Sequence, residues 1–223
     1  MFFYEKKIMK IHLQNYNLHQ NLELCNDLSD LGLQITFSKN DNLIKQFLML
    51  RNNIMQNELK INELNFFDEG ADFLLVVNNN QKVIAGCKFL YSQIIEGKSS
   101  SILSQEISNT DFLYHKFLTT IDTRKNLQIS ELSNLVIDNN YRVYSAIILQ
   151  NMIAKFIKEL QNKLNYCFWV TEIIRSKFYQ KIFYSLKIES HISKKYLWFN
   201  SNKYPSRKKD FLCQNYISYV KFF

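Results

Sequence analysis

Two apolar runs joined by an asparagine-rich turn constrain the fold of this sequence more than any other feature. Residues 73–77 (FLLVV) and 83–91 (VIAGCKFLY) are apolar runs of strand length, and three asparagines at 78–80 lie between them. This arrangement predicts a β-hairpin. The acidic residues Glu63 and Asp68 come just before the first run, where a loop would present them to a ligand.

The rest of the chain alternates between strand-like and helix-like segments. A helix over 42–59 is indicated by an apolar stripe at three- to four-residue spacing, with Asn40-Asp41 as its N-cap. The other predicted elements are strands at 33–38, 129–138 and 166–171, helices at 143–164 and 175–186, and short strands at 188–192, 196–199 and 216–222. A strand, a long helix and another strand predict a parallel pair with a right-handed crossover. Since the hairpin is antiparallel, the sheet is expected to be mixed.

Composition agrees with a folded, helix-containing domain. The 223 residues are 47% hydrophobic and 15% aromatic, which excludes general disorder and allows a substantial core. Only four Gly and one Pro occur, and so few breakers disfavour an all-β sandwich. A mixed α/β or α+β architecture fits better.

Two stretches at the edges of this pattern remain open. Residues 1–32 predict a helical extension that ends at Gly32, either packed on the domain or used as a membrane-surface or partner helix, and 33–223 then form the main domain. The charged N-terminus predicts neither a signal peptide nor a membrane span, so a cytoplasmic protein is expected. Residues 93–130 look polar and loop-like, with a short amphipathic helix at 111–122.

The charge balance favours anionic partners. The net charge is +8 and the sequence pI is about 9.2, but the lysines are scattered. The run Arg207-Lys208-Lys209 is either a solvated face or a docking patch. Aromatic and basic residues do not interleave as nucleic-acid binding requires, so nucleic acid is not an expected partner. The four Cys and four His lack metal-ligand spacing, which predicts reduced core thiols and no metal.

The order of elements is that of the GNAT acyltransferase fold, an α/β/α arrangement with splayed central parallel strands. Within it, residues of about 43–187 resemble the acyl-homoserine lactone synthases. The matching motifs are an Arg in the first helix, an acidic turn before the second strand, a cation after a Gly in the third strand and the opening of the fourth strand; they fall on Arg51, Glu63, Asp68, Lys88, Glu131 and Asn134.

The sequence also departs from the family. Asn65, Lys88 and Asn134 stand where the family prefers Asp, Arg and Arg, and the Trp that follows its first helix has no counterpart. Lys keeps the charge of Arg but loses the planar fork. These departures leave open the acyl donor, the amine and the lactone-forming half-reaction.

The resemblance implies transfer of a fatty acyl group from a carrier-protein or CoA thioester to a small amine, which in the related family is S-adenosylmethionine. Glu131 would be the general base, and Tyr179, in a segment similar to one of the wider superfamily, would protonate the leaving thiolate. Backbone N–H groups from Leu135 to Ile137 would hold the oxyanion. The charged residues Arg51, Glu63, Asp68 and Lys88, together with Asn134, would bind the amine.

The pyrophosphate loop of the superfamily falls on residues 142–147, where both of its glycines are missing. Arg142, Tyr144 and Ser145 would then meet the phosphates at the N-terminus of the following helix. Side chains crowd that approach, which favours an acyl carrier protein as donor, and the +8 charge suits an acidic carrier.

Each of these residues also has a structural interpretation. Glu63 and Asp68 are then solvated turn acids, Arg51 snorkels from an apolar helix, Glu131 pairs with Lys88, and Tyr179 packs in the core. The rival functional hypothesis is a degenerate GNAT domain that binds a ligand or a protein without turnover.

Overall fold

The computed structural model describes residues 28–57, 70–95, 98–99, 126–199 and 213–222. Its strands are β1 (Leu33–Ser38), β2 (Asp72–Asn78), β3 (Val83–Ile95), β4 (Lys98–Ser99), β5 (Leu127–Ile137), β6 (Tyr166–Glu172), β7 (Ser190–Phe199) and β8 (Cys213–Lys221). Its helices are α1 (Asp41–Asn57), α2 (Ser145–Leu160) and α3 (Ile173–Ser185), with short 3-10 turns at Ser29–Leu31 and Asn139–Tyr144.

The strands form one mixed sheet in the order β1-β2-β3-β5-β6-β8-β7, and β4 pairs with β3. Among the described strands, β5 and β6 are the parallel pair, and every other pairing is antiparallel. The chain crosses from β5 to β6 through α2, as a parallel connection requires. The expected hairpin, parallel pair and mixed sheet are therefore confirmed.

The parallel pair is short. β5 and β6 pair only from Ile129–Tyr166 to Glu131–Phe168, although β5 continues to Ile137. β6 instead stays paired with β8 as far as Glu172. The two central strands therefore part in the middle of the sheet and leave one edge of β5 without a strand partner.

A bulge interrupts β5 on the C-terminal side of the point where β5 and β6 separate. Gly86 pairs with Val136 and Lys88 with Ser133, so Asn134 and Leu135 together face the single residue Cys87. Asn134 has a φ of 54°, the left-handed conformation that Asn tolerates better than most residues. The extra residue reverses the alternation of side chains beyond it.

Helices cover both faces of the sheet. α1 packs on one face over a cluster that contains Phe47, Leu75 and Val136. α2 and α3 pack on the other face, over the larger cluster that contains Phe89 and Trp169. The layers are thus helix, sheet and helices, as the sequence predicts.

The hairpin turn has no Gly because Asn78 supplies the turn contacts. Its backbone pairs with Gln81 and Lys82, and its side-chain oxygen accepts hydrogen bonds from the N–H groups of Asn80 and Lys82 at 3.1 and 3.0 Å. The side chain of Gln46, on α1, donates to Gln81 O and accepts from the Val83 N–H. This fixes α1 against the start of β3.

Several boundaries differ from those predicted. The polar segment after residue 92 is not all loop, because β3 runs to Ile95 by pairing with β5, and β4 returns along it. The short strands predicted at 188–192 and 196–199 form the single strand β7. The N-cap at Asn40 is confirmed, since its side-chain oxygen accepts from the N–H of Asn42 at 2.9 Å.

Some predictions fall outside the described residues, namely the helical extension over most of 1–32, Glu63, Asp68 and the short helix at 111–122. No described helix is long and apolar enough to cross a membrane.

Candidate active site

Three charged side chains are buried on the α1 side of the sheet. Arg51, Lys88 and Glu131 are 3%, 2% and 4% exposed. Charged side chains are almost never buried to this degree unless they are paired. All three take part in hydrogen-bonding or electrostatic interactions. The described part of the chain thus supplies two cations and one carboxylate to this layer.

Helix and strand geometry places these residues near one another. Arg51 lies four residues after Phe47 and so shares the sheet-facing side of α1. Lys88 pairs with Ser133, and Glu131 lies two residues before Ser133 on the same face of β5. Diagonal neighbours of this kind are roughly 7–8 Å apart. The three charges therefore share one layer between α1 and the central strands.

Gly86 allows α1 to come this close. A Cβ built at Gly86 would lie 2.8 Å from side-chain carbons of both Phe47 and Leu75. Such distances require movement of the helix or the side chains. Gly86 therefore allows α1, and Arg51 with it, to pack close to the sheet.

A hydroxyl of the same layer lacks a partner. Ser133 Oγ is buried and makes no hydrogen bond with any described residue. It lies beside Lys88 across the strand pair and two residues from Glu131. A buried hydroxyl without a partner is costly unless a ligand or a water satisfies it.

An apolar crevice occupies the opposite face. It is narrow, with a cavity volume of about 30 Å³ that is partly open to solvent. Its walls come from β2, β3, β5, β6, α2 and α3: Leu74, Cys87, Phe89, Leu132, Leu135, Leu149, Met152, Ile153, Phe156, Cys167, Trp169, Tyr179 and Phe183. The crevice lies where β5 and β6 separate, because both strands contribute wall residues.

Stacked aromatic rings form part of the crevice wall. Phe89 on β3 stacks on Phe156 of α2, with ring centroids 4.8 Å apart and planes at 3°. Trp169 on β6 stacks on Phe183 of α3 at 5.3 Å. Tyr179 meets Trp169 edge-on at 6.2 Å. Aromatic pairs of this geometry add to the stabilisation from area burial alone.

The titratable groups of the crevice stay neutral. Burial raises the pKa of Tyr179 above its ordinary value, and the nearby Arg175 opposes this shift. Burial also raises the pKa of Cys167 to about 12 and shifts that of Cys87 in the same direction. Tyr179 is therefore a proton donor rather than a base at neutral pH, and the two thiols are unreactive wall residues.

One edge of β5 faces the gap between the separated strands. Asp138 N–H donates to Ile84 on β3 at 2.8 Å. Because N–H groups alternate along a strand, that of Ile137 points away from β3 and toward the gap. Leu135 precedes it within the bulge, and its side chain lines the crevice.

The N-terminus of α2 lies just beyond this edge. α2 starts at Ser145 after a 3-10 turn, and the side chain of Tyr144 does not cap it. The Ser145 N–H bonds to Arg142 O, and the Arg142 side chain is exposed. An uncapped start of a 16-residue helix, with a cation close by, suits an anionic group.

The structure thus gathers the predicted residues into three places. Arg51, Lys88 and Glu131 share the buried charged layer, Tyr179 lines the crevice, and Asn134 forms the bulge that lies between them. The phosphate-site residues cluster at the start of α2. Glu131 lies in the middle of β5 rather than at its opening, because β5 begins at Leu127.

Sequence reasoning missed two residues of this site. Trp169 lies in an apolar run that by itself indicates only core packing, yet it lines the crevice. The other residue is Ser133, in the charged layer. Its alternation with Glu131 along β5 was the available signal.

Comparisons with known proteins address the fold. No protein-family profile and no curated protein matches the sequence. Among solved structures, FeeM, an N-acyl amino acid synthase from uncultured soil microbes, matches with 8% identity and a TM-score of 0.52, over 85% of this chain and 90% of that chain. The acyl-homoserine lactone synthase LasI matches with 16% identity and a TM-score of 0.51, over 86% and 89%.

A third match is BjaI, a CoA-dependent acyl-homoserine lactone synthase solved with SAM and isopentyl-CoA. It has 13% identity and a TM-score of 0.52, over 86% of this chain and 83% of that chain. At such identities the likeness establishes architecture alone. The chain has the architecture of these synthases, which is the GNAT acyltransferase fold that the order of its elements predicts.

Proposed function

We propose that the protein is an N-acyltransferase that moves an acyl group from a thioester to a small amine, in the manner of the acyl-homoserine lactone synthases. One observation carries this proposal. An apolar crevice and a buried charged layer lie on opposite faces of the sheet at the level where β5 and β6 separate. A gap between strands is where an acyl chain and an amine can meet through the sheet.

The acyl donor belongs to the crevice side. Its chain would lie among the aromatic and aliphatic walls, and its thioester carbonyl would accept from the Ile137 N–H, with Leu135 beside it. The phosphates of a CoA or of a carrier-protein arm would reach the start of α2, near Arg142, Tyr144 and Ser145. Backbone donors placed at a developing oxyanion are typically worth about 2.7–4 kcal/mol of barrier.

The amine belongs to the charged side. Glu131 would take a proton from the amine, directly or through a water, as nitrogen attacks the thioester carbon. The C–S bond then breaks, and the thiolate leaves with a proton from Tyr179 or from solvent. Arg51, Lys88 and Asn134 would orient the acceptor, and the resemblance adds Glu63 and Asp68. S-Adenosylmethionine is the acceptor that this resemblance favours.

The test measures product directly. The protein is incubated with acyl-CoA or acyl-carrier-protein donors and a panel of amines that includes S-adenosylmethionine, and N-acylated products are detected by mass spectrometry. We expect amine-dependent product from the wild type and a loss of about 10²–10⁴-fold in Glu131→Gln. Glu159→Gln is the matched control, because Glu159 pairs with Lys155 on α2, away from the gap.

The rival is a binding module without turnover. It would be favoured if no donor and amine together gave product, while the protein still bound an acyl thioester. Equal activity of Glu131→Gln and wild type would instead refute the role of Glu131 while leaving the transferase standing.

A further inference from the structure

The lysines that are scattered in the sequence gather on one layer of the fold. Residues 142–189, which include α2, β6 and α3, hold eight Lys and Arg against three Glu, so they carry +5 of the net charge of +8. On the other side of the sheet, Asp41 and the exposed Lys45 of α1 cancel one another, and Arg51 is buried. Among the described helices, the excess positive charge therefore lies on the α2–α3 side.

Chain direction places four exposed lysines at one end of this layer. α2 follows β5 and α3 follows β6, and because these strands are parallel, both helices start at the same edge of the sheet and run toward the opposite edge. Lys158 lies in the last turn of α2, and Lys163 follows that helix. Lys181 lies in the second half of α3, and Lys187 follows it. With Tyr184, these lysines form a surface that we call the basic end.

The acids of this surface do not neutralise it. Glu159 pairs with Lys155 at 2.9 Å. Lys155, and also Lys163 and Lys158, lower the pKa of the Glu159 carboxyl, so this acid lies among cations. Glu189 is exposed and is the second acid of the surface. With Lys155 counted, five lysines face two glutamates, and the described residues of the basic end remain positive.

An exposed aromatic side chain lies within the basic end. Tyr184 is 83% exposed, and it shares the outer side of α3 with Lys177 and Lys181 because these residues follow one another at helical spacing. A tyrosine combines an apolar ring with a polar hydroxyl, and such side chains prefer the interface between water and lipid headgroups. Lysines beside it are attracted to anionic lipids. The combination suits the surface of an anionic membrane.

The location of the basic end argues against an acyl carrier protein as its partner. A carrier would have to deliver its thioester to the gap between β5 and β6, near the start of α2. The basic end lies at the other end of α2, whose 16 residues span roughly 24 Å. A partner bound at the basic end would therefore leave the gap open to both substrates.

We propose that the basic end docks the protein on the surface of an anionic phospholipid membrane. The lysines contact the lipid headgroups, and the ring of Tyr184 enters the interface between the headgroups and the acyl chains. This docking does not depend on the proposed acyl transfer. It orients the molecule so that the gap between β5 and β6 is directed away from the bilayer.

The test measures binding of the whole chain to vesicles by co-sedimentation. The vesicles contain phosphatidylcholine alone, or phosphatidylcholine with about one-third phosphatidylserine, and both are used at low and high salt. We expect the protein to bind the anionic vesicles at low salt, to leave them at high salt, and to bind the neutral vesicles weakly. Equal binding to the two compositions, or no binding to the anionic vesicles at low salt, would overturn the proposal.

Matched variants locate the surface. Lys158→Gln/Lys181→Gln removes one cation from each helix of the basic end and should weaken binding to the anionic vesicles about 20- to 30-fold. Lys39→Gln/Lys45→Gln removes the same charge from exposed positions beside and on α1 and should change the binding far less. Tyr184→Ala should weaken it by a smaller factor that does not depend on salt. Equal losses in the two double variants would indicate net charge alone and overturn the proposal.

A protein partner is the alternative that the same variant tests. Purified acyl carrier protein is titrated by calorimetry into the wild type and into Lys158→Gln/Lys181→Gln, and we expect the two proteins to behave alike. Loss of carrier binding in the variant, with vesicle binding unchanged, would assign the basic end to an acidic protein and overturn the membrane proposal. Because vesicle binding needs no acyl donor, failure of the proposed transferase would leave this result standing.

Discussion

Glu131 on β5 and Phe168 on β6 form the last pair that joins the two parallel strands. Both side chains are buried, and beyond them the strands have different partners. The carboxylate thus lies at the level where the sheet opens. Glu131 belongs to the charged layer on one face of the sheet and lies at the same level as the crevice on the other face. Neither face alone would indicate a reaction.

The bulge depends on the backbone preference of Asn134. We expect Asn134→Val to destabilise the fold by about 1–2 kcal/mol, because a β-branched residue is strained at a φ of 54°. Asn134→Gly, which suits this conformation, should cost little and serves as the control. Urea denaturation measures both. Equal stability of the Val and Gly variants would show that the backbone at 134 is not in the left-handed region.

The close approach of α1 predicts an effect at Gly86. Gly86→Ala should cost about 1–3 kcal/mol, because the new methyl group would overlap Phe47 and Leu75. It should also lower transfer activity by displacing Arg51. Adding Phe47→Leu should recover part of the stability, and a double-mutant cycle measures that coupling. Strict additivity of the two changes would contradict the proposed overlap.

Phe156 should limit the length of the acyl chain. It stacks on Phe89 and also contacts Phe222, with ring centroids 5.8 Å apart. Phe156→Leu enlarges the crevice, so donors with longer chains should gain in kcat/KM relative to short ones. Phe156→Ala should cost about 3–5 kcal/mol of stability and is the less useful variant. An unchanged chain-length profile in Phe156→Leu would place the acyl chain elsewhere.

Burial of Cys167 predicts that its thiol reacts poorly in the folded protein. Because burial raises the pKa of Cys167 to about 12, its thiolate is far rarer at pH 8 than that of an ordinary thiol. Iodoacetamide should therefore modify Cys167 only after denaturation, as peptide mass spectrometry can show. Rapid labelling of the native protein would refute its burial.

The same shift affects stability with a definite sign. The folded pKa lies above the unfolded one, so the contribution of this thiol is intact below about pH 8.5 and is lost as the pH rises toward 12. Denaturation of the wild type at pH 7 and pH 10 should show the loss. Cys167→Ala should lose less stability over that interval.

The start of α2 predicts a role for Arg142 in donor binding. Arg142→Gln should raise KM for acyl-CoA several-fold, more at low salt than at high salt, because an exposed cation is screened. Lys155→Gln, in the second half of α2, is the matched control, since Lys155 pairs with Glu159 at 2.9 Å. If both variants raise KM equally, the effect is one of overall charge rather than of a phosphate site.

Much of the fold follows from patterns that are local in sequence. The hairpin follows from two apolar runs, α1 and α2 from their apolar stripes, and the parallel pair from the strand–helix–strand order. The extension of β3 over Ser92 to Ile95 could not be predicted in this way. It depends on pairing with residues 127–129, which are distant in sequence.

The site was predictable in part. Motif spacing brought Arg51, Lys88 and Glu131 into one hypothesis, and all three are buried in one layer. The bulge was not predictable, because an Asn in a sequence usually indicates a turn rather than a bulge within a strand.

The extra residue at Asn134 and Leu135 has a consequence for how this chain can vary. Here Leu135 faces the apolar crevice and Val136 faces α1. Removal of Asn134 alone would leave Leu135 opposite Cys87 and Val136 opposite Gly86, so both side chains would keep their faces in a regular ladder. The upper end of β5 can therefore differ by this one residue without exposing its apolar side chains.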